Sequence, residues 1–172
     1  PLLLPLLDQP CPVERMSAVY ALGRNPCPSA VQKLVSLLET DDNAYVRRAT
    51  AWSLANYDNQ IVLKPLINAL KNDVAAVRLW SSSSLAEIGN VSSKNAELAA
   101  EQLLISLKID NESGVRSNCI WSLCRLYEKL NNTFQESFVD ECTKIALFDK
   151  EPSVMEEAKT ALDSMGMQGF YN

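Results

Sequence analysis

The sequence predicts an all-α fold, a right-handed α-solenoid built from about five two-helix repeats. Three observations carry that prediction. One pattern, an Asp, a short gap, often Val-Arg, then small residues leading to a Leu, recurs five times along the 172 residues. The apolar residues between recurrences fall at helical spacing. No stretch alternates with period two for long enough to be a strand, and no Asn-Gly or Asp-Gly hairpin signal occurs. One helix pair cannot bury its apolar stripe alone, so repeated pairs stack and share a core.

The repeats centre on Glu14-Arg15, Val46-Arg47, Val77-Arg78, Val115-Arg116 and Val154-Met155, each followed by small residues and a Leu. The Arg-equivalent positions 15, 47, 78, 116 and 155 give steps of 32, 31, 38 and 39. Units are therefore expected at 1–25, 28–58, 60–90, 94–130 and 133–167 of a single domain, about ten helices in all. Because the chain begins at Pro1 with a shortened first helix, it reads as a piece of a longer one.

The first helix of each unit shows apolar residues on one face: Leu34, Leu37 and Leu38; Leu66, Ile67 and Leu70; Leu103, Leu104 and Leu107; Val139, Cys142, Ile145 and Ala146. In the second helix Val46, Ala49, Thr50, Ser53 and Leu54 lie at offsets 0, 3, 4, 7 and 8, one stripe of a 3.6-residue helix. Before each second helix stands an Asp (Asp8, Asp42, Asp73, Asp110 or Asp149), placed to cap its free N–H groups. Pro65 and Pro152 sit near helix starts, where a missing N–H costs nothing, and Gly23, Gly89 and Gly166 read as C-terminal stops. The recurrent Arg is expected to bond to the Asp or the loop carbonyls of an adjacent repeat and so set the stacking angle. The last unit replaces it with Met155 and carries Asp163 just past its Leu, as a polar terminal cap would.

Composition then narrows function. There is no histidine, which removes His-activated nucleophiles, His-ligated metal sites and the usual general base near neutral pH. A net charge of −5 argues against a general nucleic-acid binder, and no apolar run is long enough to span a bilayer. The five cysteines, Cys11, Cys27, Cys119, Cys124 and Cys142, form no C-x-x-C pair and read as reduced core thiols of a cytoplasmic protein. Asp41-Asp42 and Glu156-Glu157 read as solvated charges, and Ser81 to Ser84 as tight helix packing without the glycines of a phosphate cradle. No catalytic residue, metal site or intrinsic cofactor is assigned.

The pattern D-x-x-x-x-V-R-x-x-A-x-x-x-L, with Ala-Leu-Gly at 21–23, resembles the HEAT-like repeats of phycobilin lyases, the phycobilisome lyase HEAT-repeat family. Val-Tyr-Ala-Leu-Gly-Arg at 19–24 and Ala-Trp-Ser-Leu-Ala at 51–55 are similar to the aromatic-rich second helices of that branch. The resemblance implies a protein that binds an open-chain tetrapyrrole (bilin), a phycobiliprotein subunit, or both, and assists chromophore attachment. HEAT repeats also serve as non-catalytic scaffolds and adaptors for protein partners. The resemblance further implies that second helices line the concave side.

Offsets 2 and 6 from the Val position lie away from the apolar stripe. They hold Met16, Arg48 and Leu79, and Tyr20, Trp52, Ser83 and Trp121, expected to form a ligand- or partner-binding groove. Arg48 precedes Trp52 by four residues and should neighbour it. Three readings of the aromatics stand: packing between adjacent second helices, gripping a protein partner, or stacking a flat ligand while Arg48 pairs its carboxylates. Trp80, at offset 3, is expected in the core.

Overall fold

The structure, a computed structural model, describes residues 2–58, 60–167 and 169. Among them are nine α-helices and no strand: α1 (Pro12–Arg24), α2 (Val31–Thr40), α3 (Ala44–Leu54), α4 (Leu63–Asn72), α5 (Ala75–Gly89), α6 (Ser93–Ile109), α7 (Ser113–Leu126), α8 (Asn132–Phe148) and α9 (Pro152–Ser164). The first helix of the first repeat is reduced to a 3-10 turn, Leu4–Asp8. Pro10 and Pro12 follow it closely, and residues without an N–H cannot extend a helix there. The fold class is that of the α-solenoids, and the chain divides into two compact units, Pro1–Ile88 and Gly89–Asn172.

In the first unit α1 packs on α3 and α2 packs on both α3 and α4. Leu34 and Leu38 of α2, Val46 and Leu54 of α3, and Leu66 and Leu70 of α4 are buried together at the centre of this layer. In the second unit α6 pairs with α7 and α8 with α9, while α7 packs on α9 and α6 on α8. Its core includes Leu103, Leu107, Ile120, Leu123 and Phe138. Each unit thus lays first helices beside first helices and second beside second.

The recurrent Arg forms the seam between successive pairs. Arg15 donates from Nε and Nη2 to the two carboxylate oxygens of Asp41, at 2.8 and 2.9 Å, and from Nη1 to the Gln9 carbonyl at 2.8 Å. Arg47 repeats the fork onto Asp73, both bonds 2.8 Å, with Nη1 on the Asp41 carbonyl at 2.7 Å. Arg116 does the same with Asp149, at 3.0 and 2.7 Å, and with the Asp110 carbonyl at 3.0 Å. Each Arg therefore clamps its own turn and the carboxylate of the next repeat, in the planar two-bond geometry that guanidinium favours. Burial pushes the Asp41 and Asp149 carboxyls up, yet their guanidinium partners and loop N–H donors hold both below the ordinary carboxylate range.

Three readings shift by about one residue. The seam uses Asp41, whose carboxylate is almost wholly buried, not Asp42, which is 94% exposed. In the first repeat the equivalent slot is Gln9, while Asp8 pairs with Lys33 at the surface. These carboxylates also do not cap the second helices. Asp41, Asp110 and Asp149 accept the N–H two residues on, from Asn43, Glu112 and Glu151, fixing the turn ahead of the helix. The cap of α3 is Asn43, which accepts from Tyr45 and Val46.

Glycine does two different jobs. Gly166, at φ +75°, ends α9 in a left-handed turn closed by the Met167 N–H on the Leu162 carbonyl at 2.9 Å. Gly23 instead lies buried inside α1, where a Cβ would fall 2.5 Å from a ring carbon of Trp52. Its missing side chain makes room for the tryptophan.

Candidate binding face on the second helices

That space seats an aromatic pair. Tyr20 of α1 and Trp52 of α3 meet with ring centroids 5.4 Å apart and planes tilted 55°, and both are half-buried. Packing between adjacent second helices is thus realised, and both rings keep part of their surface exposed. Met16 on α1 and Leu79 and Ser83 on α5 are half-buried at the same two offsets. Ser84 ties α5 to α3 by donating to the buried Ala51 carbonyl at 2.8 Å, while Ser81, Ser82 and Ser84 are all buried. The serine run serves close packing.

Arg48 takes a different neighbour from the expected one. Its guanidinium carbon lies 5.4 Å from the ring centre of Tyr45, one turn back, rather than over Trp52. Tyr45 is 64% exposed and had not been singled out, although its spacing of three from Arg48 obeys the same helical rule. The Arg48 Nε is buried without a hydrogen-bond partner, and among the described residues no carboxylate pairs with this guanidinium. A guanidinium over the Tyr45 ring, its Nε unpaired, is the chemical feature that this face offers.

Trp121, on α7 of the second unit, is 41% exposed, with the guanidinium carbon of Arg125 5.1 Å from its ring centre. Arg125 is a further residue that i,i+4 spacing could have found. Trp80 corrects the core assignment, being 37% exposed. The buried stripe of the second helices runs through offsets 0, 4, 5 and 8, as with Val115, Cys119, Ile120 and Leu123, leaving offset 3 at its edge.

The thiols divide. Cys119 and Cys142 are buried, and burial pushes both well above the ordinary thiol range; Cys124 is pushed up to about 11 by burial. Cys11 is exposed and Cys27 half-exposed, so neither is a core residue. Tyr57, another residue the pattern did not mark, is buried in the loop after α3. Its hydroxyl donates to the Leu22 carbonyl at 3.1 Å and accepts the Cys27 N–H at 3.3 Å, tying the end of α1 to the following turn. Among the described residues no group of His, Cys, Asp and Glu is placed to hold a metal ion, and no helix is long and apolar enough to cross a membrane.

The sequence matches the family of HEAT repeats over residues 1–86 and 31–124. The chain belongs to the HEAT-repeat family. No curated protein matches its sequence. Among solved structures, this HEAT-repeat chain is similar to the complex of CpcE and CpcF of phycocyanin lyase from Nostoc sp. PCC7120, at 22% identity and TM-score 0.72. That match covers 94% of this chain and 96% of that one. It is also similar to a designed armadillo repeat protein in complex with the peptide (KR)4, at 18% identity and TM-score 0.67, covering 98% of this chain and 88% of that one. Identities this low establish a shared fold.

Proposed function

We propose that this HEAT-repeat chain is a binding scaffold whose first unit holds a protein segment on the α1–α3–α5 face. The Tyr20–Trp52 pair receives an apolar side chain, Met16, Leu79 and Ser83 flank it, and Arg48 pairs with a carboxylate of the partner. The observation that carries this reading is Arg48, with a buried and unbonded Nε and no carboxylate of its own. Trp, Tyr and Arg are enriched at the hot spots of protein interfaces, the rings by the area that they bury and Arg by its forked hydrogen bonds to carboxylates. The absence of histidine fits a protein that holds rather than one that breaks bonds.

A second reading deepens the same site and rests on the likeness to the phycocyanin lyase complex. Here the occupant is an open-chain tetrapyrrole, its rings against Tyr20 and Trp52 and a propionate on Arg48. The chain would then act with a phycobiliprotein subunit as a bilin lyase. The acceptor thiol adds across a carbon–carbon double bond of the bilin, sulfur bonding one carbon and the thiol proton passing to the other so that no group leaves, and the scaffold fixes the conformation and face of attack.

Two measurements separate the readings. A photo-crosslinker at the Tyr45 position should trap a polypeptide, with capture lost in Arg48→Glu and in Trp52→Ala; capture indifferent to both variants would sink the scaffold reading. Phycocyanobilin or phycoerythrobilin added to the chain should give a red-shifted, sharpened band lost in Trp52→Ala if the second reading holds. An unchanged spectrum with both bilins removes it.

A further inference from the structure

The last residue of each first helix stands immediately before the seam aspartate, and its chemistry changes between the units. In the first unit it is Thr40 or Asn72, both polar. In the second it is Ile109 or Phe148, which are 72% and 81% exposed. Both of these line one cleft of about 410 Å³ around the Arg116–Asp149 pair. Two large apolar groups at equivalent repeat positions, turned into water beside one cleft, cost solvation that nothing in the unit recovers.

The charges around this cleft are unequally used. Arg116 is committed to Asp149 at 2.7 Å, and Lys144 lies 3.4 Å from Glu141. Lys108 and Lys150 also line the cleft, are exposed, and make no ion pair among the described residues, although Lys150 helps from a distance to hold Asp149 ionised. Lys108 sits in the last turn of α6, where the helix dipole favours a cation, whereas Lys150 lies in the turn between α8 and α9. The dipole gives no reason, however, for isoleucine and phenylalanine to be left in water between them.

From this juxtaposition we infer that the Ile109–Phe148 cleft is a docking site for an extended protein segment in which an apolar side chain is flanked by Asp or Glu. The apolar side chain covers Ile109 and Phe148, and the flanking carboxylates pair with Lys108 and Lys150. Charge complementarity selects this occupant. Asp149 and Glu141 are already paired with Arg116 and Lys144, which leaves Lys108 and Lys150 as the charges that select a carboxylate. This inference is independent of the second-helix face, since it uses other residues on the loop edge of the second unit.

The test is a phage-displayed random dodecapeptide library selected on the whole chain and counter-selected on Lys108→Glu/Lys150→Glu. Enriched peptides should carry an aromatic or aliphatic residue within two positions of Asp or Glu. Fluorescence anisotropy with a labelled enriched peptide should show at least tenfold weaker binding to Ile109→Ser/Phe148→Ser and weakening with salt. All four positions are exposed, so circular dichroism and the urea midpoint should be unchanged and loss of binding is not loss of fold. Basic or charge-indifferent peptides, or equal enrichment on both chains, overturn the inference. So does a dimer by sedimentation that Phe148→Ser dissolves, or flotation with phosphatidylserine vesicles that the lysine variant abolishes.

Discussion

The two units use the same seam and differ in everything that points away from it. Arg47 and Asp73 in the first unit keep 17% and 13% of their side chains exposed, against 6% and 9% for Arg116 and Asp149 in the second. The pairing geometry is nonetheless the same, because one guanidinium must bridge a turn and the carboxylate of the next repeat. The outward positions diverge. The first unit concentrates its aromatic character on the second helices, with Tyr20 against Trp52. The second places Trp121 on α7 and exposes one aliphatic and one aromatic residue, Ile109 and Phe148, on the loop edge. Stacking constrains the seam and leaves the other faces free to be adapted to what each unit binds.

Removing the guanidinium should separate the units most clearly. Arg116→Ala leaves a mostly buried Asp149 carboxylate without its partner, an effect of about 3–5 kcal/mol read from the urea midpoint. Arg47→Ala, at a wetter pair, should cost about 1.5–3 kcal/mol. Equal losses would show that burial does not distinguish the two seams. Acid adds a second axis. Asp41 and Asp149 are held below the ordinary carboxylate range in the fold, so the unfolded chain takes up protons first as pH falls. Their contribution is complete above about pH 4 and is lost as pH drops through the folded values. In Arg116→Ala the burial of Asp149 is no longer opposed by its partner, so acid destabilisation should begin at higher pH than in the parent.

A methyl group tests the aromatic side of the comparison. Gly23→Ala places a Cβ 2.5 Å from Trp52 and 3.1 Å from the Ser53 backbone, which cannot swing aside. Overpacking of about 1–3 kcal/mol should exceed the roughly 1 kcal/mol that Ala gains over Gly within a helix. The tryptophan emission maximum should shift as Trp52 is displaced. Gly89→Ala meets only side-chain atoms of Leu126 and Ala99, at 3.1–3.3 Å, and should change stability by less than about 1 kcal/mol. A destabilised Gly89→Ala beside an unaffected Gly23→Ala would reverse the assignment of where close helix approach matters.

The seam was legible in the sequence because its chemistry recurs: an Arg, usually after Val, a few residues past an Asp can be found by self-comparison alone. What failed was register. Asp41-Asp42 offers two adjacent carboxylates, and only the geometry of Arg15 chooses the first; Gln9 fills its slot without being acidic at all. Trp80 was misplaced because Ala49 and Trp80 share an offset at the edge of the buried stripe, where a methyl fits and an indole does not. On the candidate face, helical offsets found Tyr20 beside Trp52, but the choice of Tyr45 over Trp52 by Arg48 depends on rotamers that spacing does not set. Tyr57 was invisible because its partners, Leu22 and Cys27, are supplied by loop geometry rather than periodicity. Tyr57→Phe removes that buried hydroxyl and leaves both backbone groups unpaired, for a loss of about 1–2 kcal/mol in urea unfolding.

The smallest effect lies at the helix starts. Asn43 caps α3 through its side chain, accepting from the Tyr45 and Val46 N–H groups, whereas Glu112 at the equivalent place before α7 makes no side-chain cap bond. Asn43→Ala should therefore cost about 1 kcal/mol and Glu112→Ala almost nothing. In both turns the preceding aspartate already takes the N–H of the cap residue, Asn43 for Asp41 and Glu112 for Asp110. The turn is held either way, and the cap bond is an addition to it. Equal losses from the two substitutions, measured by urea unfolding at one pH, would mean that the carboxylate of Glu112 acts on α7 through the helix dipole instead of a hydrogen bond. High salt separates the two, since it screens the dipole interaction and leaves the asparagine cap in place.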